Sequence, residues 1–201
     1  MKKLFANDTG KGRVSSNNII EILSKTSIPL TIITYSCIWG ALMALNYFKT
    51  ATSLLNSIIV YSLAIFAWTL FEYLMHRYVF HFINESSWSQ RFHYAIHGVH
   101  HDYPRDEERL FMPPIPGLIL IIILAGFFSF MGSLTFIWMA GFLNGWAIYV
   151  SLHYLVHAYP PQKPLKFLWR HHAKHHYKNG NKAFGVSSPF WDMVFGTMPE
   201  K

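Results

Sequence analysis

Twelve histidines in a chain of 201 residues fall into four spaced groups, with two left over. His76 and His81 form HxxxxH, and His97, His100 and His101 form HxxHH. His153 and His157 form HxxxH, and His172, His175 and His176 form HxxHH again. On a helix, positions i, i+3 and i+4 share a face, so each HxxHH can aim three imidazoles into one cavity, and His153 and His157 can do the same. A five-residue spacing diverges on a regular helix, which predicts that the helix ends or distorts between His76 and His81. The spacing also repeats: an apolar hairpin, a spaced histidine pair, 15–16 residues, then HxxHH. A lone histidine is more often a satisfied surface or core residue than a ligand, and that reading fits His93 and His171, outside the four patterns. For the other ten, imidazolium ions would repel and neutral rings would gain little over water, so a bound metal supplies the reason to gather them. Ten neutral nitrogens overfill one ion and suit two, at about five each. Structural zinc usually takes four ligands with cysteines among them, and HExxH is absent, so a zinc-protease reading lacks its general base. Imidazole also suits iron, and two irons beside a bilayer point to oxygen activation on hydrocarbon.

Such groups need elements that carry them to one place. The chain is 52% hydrophobic and only 13% charged, against roughly 25% charged in soluble domains. A spanning helix needs about 20 mostly apolar residues. Residues 28–48 meet that test without a charge, and residues 54–75 meet it with Glu72 alone near the end. Apolar stretches at about 115–131 and 134–156 supply a third and a fourth span, divided by a tight turn at Gly132-Ser133. A soluble helical bundle is the alternative, disfavoured because soluble helices rarely run this long without charge. Four spans put both termini on one side. All lysines and arginines except Lys49, 16 of 17, then share that side, and the excess makes it cytoplasmic. All twelve histidines lie there too, at the ends of the second and fourth spans or just after them.

The expected fold is an all-α integral membrane protein: four transmembrane helices beneath a cytoplasmic, histidine-rich helical cap holding a dimetal site. Residues 1–27 read as a short cytoplasmic N-terminal segment and residues 28–201 as the membrane-embedded domain. The net charge of +7 is thereby a topology signal, with no further support for a nucleic-acid partner. Lys2 and Lys3 have no apolar run behind them, so the N-terminus is not a secretory signal. Cys37 alone excludes an intramolecular disulfide, and inside its apolar run it reads as a buried small hydrophobe.

From residue 68 to residue 200 the chain resembles the membrane fatty acid hydroxylase superfamily, most closely its fatty acid 2-hydroxylase branch. The resemblance rests on EYLMHRYVFH (72–81), HGVHHDYPRDEERLFMPP (97–114), HYLVH (153–157) and HHAKHHYKNGNKAFGVSSPFWDMVFGT (171–197). The histidine set alone is shared with sterol desaturases and carotenoid hydroxylases; RLFMPP and FGVSSPFWDMVFGT point to the 2-hydroxylases. The resemblance implies ligands at His76, His81, His97, His100, His101, His153, His157, His172, His175 and His176. It implies two iron ions, with zinc able to take the same sites after overexpression. It further implies O2 as co-substrate, a lipid or fatty acyl substrate and hydroxylation at C2. That carbon sits beside a polar head, within reach of a site at the cytoplasmic edge of the membrane, where a midchain carbon would have to bend back. Eukaryotic members often carry an N-terminal haem domain; residues 1–27 are too short for one, so a separate electron-donor protein is expected.

Around this set the residues leave alternatives. Glu72, one turn before His76, either takes the second N–H of a ligand or is an interfacial carboxylate. Asp102 and Asp192 either orient a ligand or cap a helix or turn. Tyr149 either faces substrate or packs as an aromatic, and Asp106, Glu107 and Glu108 read as a solvated loop. Met112, Pro113, Pro114 and Pro116 fix the start of the third span and could shape a lateral lipid entrance. Two other functions compete. One is a sterol or carotenoid oxidase of the same superfamily. The other is a membrane metal transporter or store, disfavoured because transport places ionisable ligands along a path through the bilayer and the spans carry only Glu72 and His153.

Overall fold

A computed structural model describes residues 10–200; Lys2, Lys3 and Lys201 of the charge argument lie outside the described residues. Among the described residues the chain is helical, without a strand. In order come α1 (Asn18–Leu23), α2 (Ile28–Lys49), α3 (Leu54–Leu74), α4 (Ser87–His93), α5 (Val99–Asp102), α6 (Pro114–Phe128), α7 (Thr135–Ala158), α8 (Lys166–Tyr177) and α9 (Phe190–Val194). Serine caps begin the first two long helices: Ser27 accepts from the Leu30 N–H and Ser53 from the Asn56 N–H, satisfying donors that a helix start leaves open.

Three helical stretches are long and apolar enough to cross a bilayer: Ile28–Lys49, Leu54–Phe80 and Glu107–Ala158, the last counted through its turn. Their outer faces expose Ile32, Ile33, Leu55, Ile122 and Phe130, an apolar surface that suits lipid rather than water. Cys37 belongs to this surface. It is exposed, not buried, because its side of α2 faces away from the other helices.

The third stretch folds back on itself. Gly132 breaks it at φ 59°, ψ −123°, a conformation open to glycine. Phe128 packs on Trp138 and Phe142, while Phe111 packs on Tyr154. The pairing order is reversed, so α6 and α7 form the expected hairpin. With 15 residues at about 1.5 Å each, α6 alone falls short of the roughly 30 Å hydrocarbon core.

α3 and α7 make the central helix pair. Gly141 and Gly145 lie four apart on α7 and let α3 approach: a Cβ on Gly141 would come 2.4 Å from the Tyr61 carbonyl oxygen, and one on Gly145 2.5 Å from the Trp68 Cβ. Small residues at this spacing bring membrane helices into contact where no hydrophobic drive exists between them. Ala64, Trp68 and Phe142 pack around the crossing.

The segment before α2 is strapped onto the loop before α6. Buried Arg109 pairs with Glu21 and donates to Ser24 and to the Gly12 carbonyl, while Lys25 and Lys11 pair with Glu108. Asp106 is buried and accepts from the Gly12 N–H at 2.8 Å, so it does not belong to a solvated loop. The polar strap pulls it under cover, whereas Glu107 stays exposed.

Candidate metal centre

α3 does not stop at His76. It continues as a π-helical turn, Met75–Phe80, in which the His81 N–H donates to the His76 carbonyl at 3.2 Å. That i→i+5 bond widens the turn and brings residues five apart onto one face, which is the distortion the spacing predicts. A second π-helical turn, Tyr94–Gly98, carries His97 and runs into α5 with His100 and His101. The C-terminal end of α7 carries His153 and His157, and α8 carries His172, His175 and His176.

The ten patterned histidines converge as two groups of five: His76, His81, His97, His101 and His175 in one, His100, His153, His157, His172 and His176 in the other. Each HxxHH is therefore divided between two groups, not aimed whole into one. Its i and i+4 members stay together and its i+3 member crosses over, so His100 joins the second group and His175 the first. In the second group the Nε2 atoms close a ring: His100 to His176 3.2 Å, His176 to His172 3.0 Å, His172 to His157 2.8 Å, His157 to His153 3.2 Å and His153 to His100 3.1 Å. In the first, His101 and His97 are 2.9 Å apart, His97 and His76 3.0 Å, His101 and His175 3.2 Å, and His175 and His81 3.1 Å. Nitrogens about 2.1 Å from an ion and at right angles around it lie about 3.0 Å apart. The donor atoms thus fit two metal ions in spacing and in chemistry.

Backbone carbonyls orient two rings of the first group. The His76 Nδ1–H donates to the Phe184 carbonyl at 2.5 Å and the His175 Nδ1–H to the Lys182 carbonyl at 2.8 Å, which leaves each Nε2 lone pair facing inward. Ala183 between these carbonyls has φ 59°, a left-handed conformation that costs an ordinary residue roughly 1–2 kcal/mol. Burial, then neighbouring rings, push His97, His100, His101, His172 and His176 well below the ordinary histidine value. Burial also lowers His81 to about 3 and His175 to about 4. Neutral rings are the form that binds metal.

Each neighbour has its own set of partners. Glu72 is buried and, among the described residues, hydrogen-bonds no imidazole; it accepts from the Val186 and Ser187 N–H groups at 2.7 and 2.9 Å and from the Ser187 hydroxyl. It thereby anchors the loop that brings the Phe184 carbonyl to His76. Asp192 is fully buried and accepts from the N–H groups of Phe184 and Gly185 at 2.9 and 2.8 Å and from Thr197 at 2.7 Å. Its remaining partner is His171 Nε2, 2.9 Å away, a histidine outside both groups. Burial pushes the Asp192 carboxyl up, but bonds from His171, Thr197, Gly185 and Phe184 outweigh it and hold it low. His93 also stands apart, donating from Nδ1 to the Phe80 carbonyl at 2.6 Å. Asp102 ends α5 and, among the described residues, bonds no imidazole. Tyr149 stacks on His153 with ring centres 5.6 Å apart. The two carbonyl orienters escape sequence reasoning because any residue type presents a carbonyl.

A cavity of about 280 Å³ touches both groups, lined by His76, His97, His100 and His153 together with Trp68 and Tyr149. Met112, Pro113 and Pro116 line it too. A second cavity of about 770 Å³ reaches His157, His172 and His176 beside Arg105 and Arg170.

Helices with lipid-suited faces, and paired imidazole groups opening on an apolar cavity between them, define the class of membrane protein with a histidine-built candidate metal centre. Sequence comparison narrows it. The chain belongs to the fatty acid hydroxylase family, whose profile matches residues 61–197, and this family is metal-dependent. It is 40% identical over 141 residues to the dihydroceramide fatty acyl 2-hydroxylase of Arabidopsis thaliana, covering 68% of this chain and 59% of that one. Identity to the ceramide very long chain fatty acid hydroxylase of Saccharomyces cerevisiae is 37%, covering 69% and 37% of the two chains. Identity to the fatty acid 2-hydroxylase of Homo sapiens is 36%, covering 71% and 40%. The chain thus spans 59% or less of the length of these three relatives. A solved structure of full-length scs7p, with only the hydroxylase domain visible, superposes with a TM-score of 0.83 at 32% identity, covering 91% of this chain and 70% of that one.

Proposed function

We propose that this chain is an O2-dependent di-iron monooxygenase that hydroxylates C2 of a fatty acid or of a lipid's fatty acyl chain, with electrons from a separate donor protein. The observation that carries the reading is that two five-imidazole groups each turn two members, His76 and His97 or His100 and His153, onto one apolar cavity. When bound, an iron pair supplies the oxidising power that an unactivated C–H bond demands. The ten histidines, His76, His81, His97, His101 and His175 on one side and His100, His153, His157, His172 and His176 on the other, hold the ions. The carbonyls of Phe184 and Lys182 fix two of the rings, and Glu72 and Asp192 hold the loop that carries those carbonyls. Trp68, Phe142 and Tyr149 surround the acyl chain with apolar surface and keep water from it. The charge bias supports four membrane passes, a cytoplasmic histidine-rich cap and both termini on the cytoplasmic side. Residues 1–27 then form a short leading segment, and residues 28–201 the hydroxylase domain. The names of the relatives favour an acyl substrate over a sterol or carotenoid one.

The test is reconstitution. Purified protein loaded with iron, and given reductant, O2 and acyl lipids, should hold about two ions per chain and form 2-hydroxy fatty acyl product. Zinc-loaded protein should fold and give none. Full activity with one ion or fewer, or product from sterols alone, would sink the reading.

A further inference from the structure

The last helix is inside out. From residue 183 to residue 199 the chain holds one charged residue, Asp192, and its side chain is fully buried. The outward positions of α9 and its exit are Phe190, Met193, Val194, Phe195 and Met198, each at least 41% exposed. A helix facing water shows the reverse, with polar side chains outward and apolar ones inward. Contacts with α3 fix its depth. Phe66 packs on Phe190 and Trp191 with ring centres 6.3 and 5.7 Å apart, and the Trp191 Nε1–H donates to the Thr69 hydroxyl at 2.9 Å. The 21 residues of α3 measure about 30 Å, the thickness of the hydrocarbon core. Thr69 and Phe66, five and eight residues before Leu74, then lie about 7 and 12 Å below its histidine-bearing end. Phe66 is itself exposed, on the face of α3 that carries Ile59 and Leu63, so the outward side of α9 adjoins a lipid-suited surface. Lysines mark the upper limit: Lys182 Nζ donates to the Gly196 carbonyl at 3.2 Å and Lys174 Nζ to the Glu200 carbonyl at 2.6 Å, where long stems can keep their charged heads in water.

We propose that residues 189–198 are a membrane-inserted foot. They descend beside α3, rest among the acyl chains of the leaflet on the histidine side, and return without crossing. Backbone at that depth must satisfy its own hydrogen bonds, and this turn does. The N–H groups of Met193, Phe195 and Thr197 donate to the carbonyls of Pro189, Trp191 and Asp192 at 3.1, 2.9 and 2.8 Å. Acyl chains are the occupant because the outward side chains offer neither charge nor hydrogen bond and continue the apolar face of α3. The foot also reaches the metal centre. Asp192, on the inward side of the same turn, holds the Phe184 and Gly185 N–H groups, and the Phe184 carbonyl takes the His76 Nδ1–H. Lipid packed on one face of α9 thereby helps to hold His76 through the other.

Depth can be read directly. In a Cys37→Ala background, zinc-loaded Met193→Cys and Val194→Cys each carry a nitroxide in phosphatidylcholine nanodiscs. Relaxation by O2, which concentrates in hydrocarbon, is compared with relaxation by a water-soluble nickel chelate. Leu63→Cys on α3 is the lipid reference, and Gln162→Cys, exposed after α7, is the water reference. Labels at 193 and 194 should match Leu63→Cys, with O2 contact high and nickel contact low. Nickel contact equal to that of Gln162→Cys would overturn the foot. Shielding from both reagents would overturn it in favour of a protein partner, a second copy included. Met193→Asp should lower the thermal midpoint in nanodiscs by roughly 5 °C and reduce bound metal, read by elemental analysis, while Met193→Leu should change neither. A wild-type midpoint and metal content in Met193→Asp would overturn the link from lipid to His76. None of these readings depends on hydroxylation, so a chain without hydroxylase activity would sink the catalytic assignment and leave the foot standing.

Discussion

His171 and His172 are neighbours in sequence and opposites in role. His172 turns into the second histidine group, while His171 turns to Asp192 and helps tie the C-terminal loop. His101→Ala and His176→Ala should each lose bound metal and hydroxylation, by at least the 10–100-fold typical of losing a group that merely supports a ligand. His93→Ala and His171→Ala should keep nearly full metal content, measured by elemental analysis on the same preparations. His171→Ala should still unfold more easily, by about 1–3 kcal/mol, because Asp192 loses a buried partner. A metal-free His171→Ala beside a loaded His172→Ala would reverse the assignment. The sequence separates the two because the repeated spacing includes His172 and leaves His171 out. It does not foretell that the i+3 member of each HxxHH crosses to the other group, since helical periodicity specifies a face and not which of two ions that face meets. Nor does it reveal the Phe184 and Lys182 carbonyls, whose aim depends on the left-handed turn at Ala183.

The long helices are legible because lipid demands continuous apolar length and the chain supplies it. The five-residue gap between His76 and His81 is legible only as a misfit; that the misfit is accommodated by π-helical hydrogen bonding is a property of the backbone. Cys37 reads wrongly because a membrane span presents apolar residues outward as well as inward, so hydrophobicity no longer reports burial. The same ambiguity hides Gly141 and Gly145, which sit where α7 meets α3 and not at a turn. Replacing Gly145 with Leu should push α7 off Trp68 and lower the thermal unfolding midpoint in detergent. Metal binding should fall with it, since α7 carries His153 and His157. Gly126, with open space around its Cβ position, is the matched control: Gly126→Leu should leave the midpoint nearly unchanged. Equal losses in the two variants would remove the helix contact as the cause.

At the scale of the whole molecule, the repeat of spaced pair and HxxHH becomes an exchange. The first half of the pattern gives four histidines to one group and His100 to the other; the second half gives four to its own group and sends His175 back. Neither group is complete within its own half. An ion that settles in one group must therefore draw α5 and α8 together, and in doing so it sets the nitrogens of the other. Uptake of the first ion should raise affinity for the second, and removal of either should release both. Metal occupancy would then behave as a single all-or-none property of the fold. Native mass spectrometry during metal titration should find mostly empty and doubly loaded chains, with the singly loaded form scarce throughout. A one-ion species dominating mid-titration would show that the crossed histidines leave the two sites energetically independent.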